Sequence, residues 1–242
     1  MAEGSEVDGV ARALFVTAHP DDVDFGASGT AATWSDAGVE ISYCVVTDGD
    51  AGGFDPAVPR SAIPAIRRAE QEAAAEVVGV HRVVWLGHPD GRLQSTLDLR
   101  RDVARVIRQV RPERVVCPSP ERSWDRIFAS HPNHLAAGEA TVCAVYPDAR
   151  NPFAFPELAA EGLEAHTVAD LWLMAAADPD VFVDITANVD RKLAALRCHV
   201  SQETDRGGQL DTRIRGWAEA TAAAAGWDEG RLAESFRRIA TG

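Results

Sequence analysis

The sequence predicts an α/β fold with a mainly parallel sheet covered by helices. Short apolar runs that read as buried strands alternate with helical stretches through the first two-thirds of the 242-residue chain. The helical stretches end at recognisable stops, Gly79 and the pair Arg111-Pro112. A βαβαβ rhythm of this kind builds parallel strands joined by helical crossovers.

Taken in order, ALFVTA (13–18) is short, apolar and bounded by Pro20, so residues 12–18 are the first strand. A helix is expected at 26–37 and a second strand at ISYCVVT (41–47). Residues 61–79 are rich in Ala, Glu and Arg and form the next helix, followed by the strand VVWL (83–86). Val103, Val106, Ile107 and Val110 recur at helical spacing within 98–110, ahead of the strand RVVCP (114–118). Pro132 suits the first position of a further helix, and 147–166 reads as a long loop. Strands at 168–175 and 181–185, a helix at 187–200 and two helical stretches near the carboxyl terminus complete the chain. No repeat, low-complexity segment or linker divides it. The expectation is one domain over 1–242, a Rossmann-like three-layer αβα sandwich with the strand order 3-2-1-4-5.

Composition narrows the function. Hydrophobic residues make up 46% and charged residues 25%, as in ordinary globular proteins. A net charge of −13, from 24 basic and 37 acidic side chains, argues against nucleic acid or an anionic membrane surface as main partner. No stretch approaches the roughly 20 apolar residues of a membrane span. The acidic start MAEGSEVDGV lacks a signal-peptide core, so a cytoplasmic location is expected. Cys44, Cys117, Cys143 and Cys198 form no CxxC pair; Cys44 and Cys117 read as buried small hydrophobes.

The chemistry lies directly behind two strands. His19, Asp21, Asp22 and Asp24 follow the first, and Ser130-His131-Pro132-Asn133-His134 follows the fourth. In the expected order these strands are neighbours at the crevice where doubly wound sheets bind ligands. His19 and Asp22 are three apart, as are His131 and His134, a spacing that turns two side chains to one helical face. Two imidazoles and a carboxylate would leave an open position for water, as in catalytic zinc sites. Asp21 would then be free to take a proton, and a further histidine could assist at the oxyanion or the leaving amine. A dinucleotide is excluded, because the turn after the first strand is His-Pro-Asp-Asp and Gly26 and Gly29 come too late.

Each residue has a plainer reading. Asp21 and Asp22 could cap a helix, and Arg67 and Arg68 could be a solvated face. Asp90 could be a turn residue before Gly91. His81 reads as surface, His166 as loop, and His199 as packing or support. His88 could line the pocket, and Trp124 is a candidate for stacking on a sugar.

AHPDDVDFGASGT (18–30), TDGDAGG (47–53), RRAEQEAAAEVVGV (67–80), HPNHLAAGEA (131–140), DVFVDIT (180–186), KLAALRCHVSQ (192–202) and AESF (233–236) together resemble the LmbE-like, or PIG-L, family. The resemblance runs from about residue 12 to 240. It implies a zinc-dependent N-deacetylase acting on a small N-acetylated amino sugar or glycoconjugate. By motif position it implies His19, Asp22 and His134 as zinc ligands, Asp21 as general base and His131 as the assisting group. It implies Arg67, with Glu70, and Asp90 at sugar hydroxyls. Iron(II) suits the same ligands, and a homo-oligomer is compatible with the sequence. Within the family the alternatives are amidases of thiol conjugates or natural products; outside it, a metal- and sugar-binding domain without turnover. One departure stands out: the second motif usually reads His-Pro-Asp-His, and here Asn133 replaces the aspartate. If that aspartate supports His131, the pKa of His131 should be lower here.

Overall fold

The computed structural model describes residues 7–202 and 208–242. Strand β1 (Arg12–Thr17) leads into two short helices, α1 (Asp22–Gly26) and α2 (Ser28–Asp36). Strand β2 (Glu40–Thr47), helix α3 (Ile63–Val77), strand β3 (Arg82–His88), helix α4 (Leu97–Val110), strand β4 (Arg114–Pro118) and helix α5 (Pro132–Cys143) then alternate. The last third carries α6 (Pro156–Ala160), β5 (Asp170–Met174), β6 (Val181–Asp184), α7 (Val189–Arg197), α8 (Leu210–Ala224) and β7 (Ala233–Ala240).

The strands form one sheet in the order β3-β2-β1-β4-β5-β7-β6. Pairs from β3 to β5 are parallel, and β7 runs antiparallel to both β5 and β6. Burial on both faces explains why β1 is apolar from Ala13 to Val16. Ala13 and Phe15 enter one core with Trp34, Tyr43 and Trp172, while Leu14 and Val16 enter the other with Leu99, Ile107 and Val115. Each large side chain buried in this way contributes roughly 1.5–3 kcal/mol. From β1 the chain moves outward through β2 and β3, then returns to β4 on the other side. The connections diverge there and leave a crevice outside the carboxyl ends of β1 and β4.

The structure corrects three local expectations. The helix expected at 26–37 is two helices that meet at Ala27, whose φ of −154° is not helical, and α1 starts earlier, at Asp22. The expected loop at 147–166 contains α6. Of the two helical stretches expected near the carboxyl terminus, α8 is the one found among the described residues, and the last segment is β7. Its partners, β5 and β6, are distant in sequence, so no local pattern announces the pairing.

β7 also carries a buried charge to the front of the molecule. Gly29 N–H and Thr30 N–H, at the start of α2, donate to the Glu234 carboxylate at 3.1 and 2.7 Å. Helix α2 has no side-chain cap of its own, so Glu234 caps it from across the fold. Lys192 Nζ on α7 lies 2.6 Å from Glu234 Oε1 and donates to the Phe25 carbonyl of α1 at 2.7 Å. The α1–α2 corner is thereby fixed to the sheet. No helix among the described residues is long and apolar enough to cross a membrane.

Candidate active site

The side chains of His19, Asp22 and His134 converge behind β1 and β4. His19 Nδ1 lies 3.4 Å from Asp22 Oδ2, His134 Nε2 lies 3.0 Å from Asp22 Oδ1, and the two ring nitrogens are 3.3 Å apart. Ligand atoms around a tetrahedral zinc with bonds of about 2.0–2.1 Å are separated by about 3.3 Å, so this triangle fits the ion. The electrostatics fit as well. Burial alone would lower the His19 pKa, yet Asp22 and Asp90 outweigh it and push it up to about 10. His134 is raised for the same reason, with Asp22 overcoming burial. Burial opposes charge on Asp22, but His134 and His19 hold its carboxyl well below the usual range. The cluster is built to surround positive charge.

The outer nitrogens of both rings are occupied, which fixes their orientation. His134 Nδ1 is 3.2 Å from the Ala129 carbonyl. His19 Nε2 is 3.1 Å from Asp90 Oδ1, and Asn133 Nδ2 donates to the same oxygen at 2.8 Å. The Asp90 side chain is only 8% exposed. Asp90, expected at sugar hydroxyls, contacts His19 and Asn133.

Asp21 sits beside this triangle in an unusual conformation. Its φ is +84°, in the left-handed region, which costs a non-glycine residue about 1–3 kcal/mol. Helix α3 supplies the compensation, gripping both ends of one peptide. Arg67 Nη2 donates to the Pro20 carbonyl at 2.6 Å, and Asp21 N–H donates to Gln71 Oε1 at 2.8 Å. Arg67 and Gln71 are four residues apart and therefore share a helix face. The same guanidinium reaches Asp21 Oδ2 at 3.3 Å. Burial and the neighbouring Asp22 push the Asp21 carboxyl up to about 6, against the pull of Arg67. Arg67, also expected at sugar hydroxyls, is 3% exposed and lies beneath Asp21.

A second layer supports α3. Gln71 Nε2 and His199 Nε2 both contact Asp24 Oδ2 at 2.8 Å, and Asp24 and His199 are fully buried. Ser201 donates through its backbone N–H and its hydroxyl to Glu70, each at 2.7 Å. The glycines of TDGDAGG are required by packing: a Cβ at Gly49 or Gly52 would fall 2.5 or 2.4 Å from Arg67 Nη1. The sequence points to Arg67 and, in this layer, to Asp24, Glu70 and a supporting His199, but not to Gln71. Its signal was present, four residues after Arg67 in the helix.

His131 caps α5, accepting the Asn133 N–H on Nδ1 at 3.3 Å. Its ring centroid is 5.0 Å from that of His19 and 5.5 Å from that of His134. The three histidines offer ligand atoms within 4.8 Å of one another, so His19, His131 and His134 together could hold a metal ion. Its pKa lies below the ordinary imidazole value through burial and the nearby His19 and His134. The Asn133 side chain turns to Asp90 and to His19 Nε2, 2.9 Å away, and gives His131 only its backbone N–H.

Other candidates lie elsewhere. His88 pairs with Asp102 at 3.1 Å, His81 with Glu76 at 2.9 Å, and His166 with the Pro112 carbonyl at 2.7 Å. Trp124 is 80% exposed and does not line the cavity beside the site. That cavity, about 380 Å³, opens against Asp22 and His134 and is walled by the carboxyl ends of β4 and β5, a face of α8 and the segment before α5.

Comparison with known proteins agrees with this geometry. The family model for GlcNAc-PI de-N-acetylase (PIG-L) matches residues 14–145. The diacetylchitobiose deacetylase of Thermococcus kodakarensis is 32% identical over 80% of this chain and 70% of its own. A probable N-acetyl-α-D-glucosaminyl L-malate deacetylase 2 of Bacillus cereus is 32% identical over 78% of this chain and 82% of its own. The structure of N,N'-diacetylchitobiose deacetylase from Pyrococcus horikoshii superposes with a TM-score of 0.88 at 29% identity, covering 97% of this chain and 85% of that one. With more than half of its length matched by the family model and a relative 32% identical over 80% of its length, this chain belongs to the PIG-L, or LmbE-like, family.

Proposed function

We propose that the protein removes the acetyl group from a small N-acetylated amino sugar or a glycoconjugate of one. The observation that carries this reading is a partly protonatable carboxyl, Asp21, held beside a two-histidine, one-carboxylate triangle. The relatives are named as deacetylases of diacetylchitobiose and of N-acetylglucosaminyl malate, which supports the same substrate class.

His19, Asp22 and His134 would hold the metal, zinc in our reading, with iron(II) suited to the same donors. When bound, such an ion polarises the amide carbonyl and brings the pKa of water towards neutrality. Asp21 takes the proton of the attacking water and returns it to the departing amine nitrogen, releasing acetate. A pKa near 6 suits a group that must both accept and donate a proton. His131 accepts on Nδ1, so its neutral form carries its proton on Nε2 and can donate to the oxyanion. Asp90 orients His19, and Arg67 orients Asp21. We read the whole of 1–242 as one catalytic domain working in the cytoplasm.

The test is amine release from N-acetylglucosaminides by the zinc-loaded protein, with Asp21→Asn as control. Turnover in the parent and a loss of 10²-fold or more in the variant, at equal zinc content, is the expected outcome. Equal rates in both proteins would remove Asp21 from the chemistry.

A further inference from the structure

Asn133 is 1% exposed and stands in the first turn of α5, one residue before His134. Its backbone N–H serves the helix cap by donating to His131 Nδ1, which leaves the side chain for another task. The amide reaches across to the loop after β3. Nδ2 donates to Asp90 Oδ1 at 2.8 Å and lies 2.9 Å from His19 Nε2, which is itself 3.1 Å from the same Asp90 oxygen. Three side chains from three distant segments thus close a triangle of polar atoms.

The chemistry of these atoms admits one arrangement. A carboxylate oxygen offers only lone pairs, so both nitrogens must donate to Asp90. Turned over, the amide would set its carbonyl oxygen 2.8 Å from a carboxylate with no hydrogen between them. His19 Nδ1 faces Asp22 and His134, so this ring can give a lone pair to a metal there only while Nε2 carries the hydrogen. Asp90 fixes that tautomer, and the Asn133 amide fixes Asp90. The pair also has a symmetry. Positions 90 and 133 both lie within hydrogen-bond reach of His19 Nε2, and the triangle requires one carboxylate and one amide between them. Two carboxylates there would repel each other strongly, because the site is shielded from water.

We propose that Asn133 is a positioning residue for His19, and that Asn133 and Asp90 form a matched amide–carboxylate pair whose two roles can be exchanged. The side chain of Asn133 acts on a metal ligand, whereas His131 receives only its backbone N–H. The assignment rests on that part of the proposed function which makes His19 a metal ligand, and it needs no particular substrate.

The test is a double-mutant cycle on the full chain, read as zinc affinity in competition with a chelator. Asp90→Asn alone leaves the triangle without a carboxylate. Adding Asn133→Asp to it returns one beside His19 Nε2, and zinc binding is expected to tighten by about tenfold or more. In the parent the same Asn133→Asp substitution sets two carboxylates together and is expected to give no gain. A negative charge that merely attracts zinc would tighten binding in both backgrounds, and general loosening of the fold would tighten it in neither. Either of those results overturns the proposal.

Asn133→Ala supplies a second cycle should the carboxylate variant fold poorly. It is expected to weaken zinc binding by about tenfold in the parent and by less than about twofold in the Asp90→Asn protein, where no carboxylate remains to be held. An equal loss in both backgrounds overturns the proposal. Amine release by the parent separates this assignment from the reading beneath it. Exchangeable zinc affinity without turnover would sink the hydrolase and keep the pair. Turnover without exchange would do the reverse, and a parent that binds no zinc would remove His19 as a ligand and this assignment with it.

Discussion

Gln71 Oε1 accepts the backbone N–H of Asp21 at 2.8 Å, so a buried amide on α3 holds the candidate base in a left-handed conformation. The other end of that side chain donates to Asp24 at 2.8 Å. Substituting Gln71→Leu removes both bonds while keeping the volume. Misplacing a catalytic group by an ångström costs about 10²-fold, so kcat should fall by 10–10²-fold with KM little changed. Steady-state kinetics at matched zinc content checks this. A change confined to KM would show that Gln71 acts on substrate and not on Asp21.

Asp90 and His19 form a carboxylate–histidine pair behind the triangle of His19, Asp22 and His134. Breaking such an outer partner lowers metal affinity by about 10–100-fold. Asp90→Asn is therefore expected to weaken zinc binding by that factor in competition with a chelator. If Asp90 serves the sugar alone, zinc affinity will stay at the parent value and KM will rise.

Lys192 and Glu234 are a buried ion pair that also ties α1 and α2 to the sheet. Removing one partner strands the other charge, at a cost of about 3–5 kcal/mol. In a domain of this size Lys192→Met should lower Tm by roughly 10 °C. The double variant Lys192→Met/Glu234→Gln should recover part of that loss. Thermal unfolding followed by circular dichroism decides it, and a Lys192→Met Tm within 2 °C of the parent would contradict the assignment.

His199 carries a pH dependence. Burial works against its charge, but Asp24, with Asp21 and Glu70, outweighs burial and raises its pKa above the ordinary imidazole value. The folded state then binds a proton more tightly than the unfolded state. The stabilisation is fully present below about pH 6.5 and is lost as pH rises through the folded pKa. Ring resonances of His199 followed by NMR should titrate with a midpoint above 6.5, and denaturant stability should decline across that same interval. A midpoint below 6.5 would reverse the sign.

Much of this protein was legible in its chain. Local period and stop signals announced β1 to β4, α3, α4 and α5, because each of these elements carries its own apolar pattern and its own ends. The two chemical clusters could be read for the same reason, since His19, Asp22, His131 and His134 stand in short motifs directly behind strands. The expectation that they meet needed only the strand order, and the right-handed crossover rule leaves few orders to choose from.

What the chain alone did not decide depends on contacts between segments far apart in sequence. No strand is expected at β7, because its pairing with β5 and β6 is not a local property. Arg67 and Asp90 were identified as residues of the site, yet their positions beneath Asp21 and behind His19 follow from how α3 and the loop after β3 close on β1. The Asn133 side chain turned to Asp90 and His19 because Asp90, 43 residues away, offers its amide a carboxylate. The cavity of Arg126, Phe128, Arg213 and Trp217 exists only where α8 packs across the segment before α5. Sequence patterns encode which residues an element buries and which chemistry a motif carries. The partner each buried polar group finds is settled by the packing of the whole fold, since desolvation compels pairing without specifying with whom.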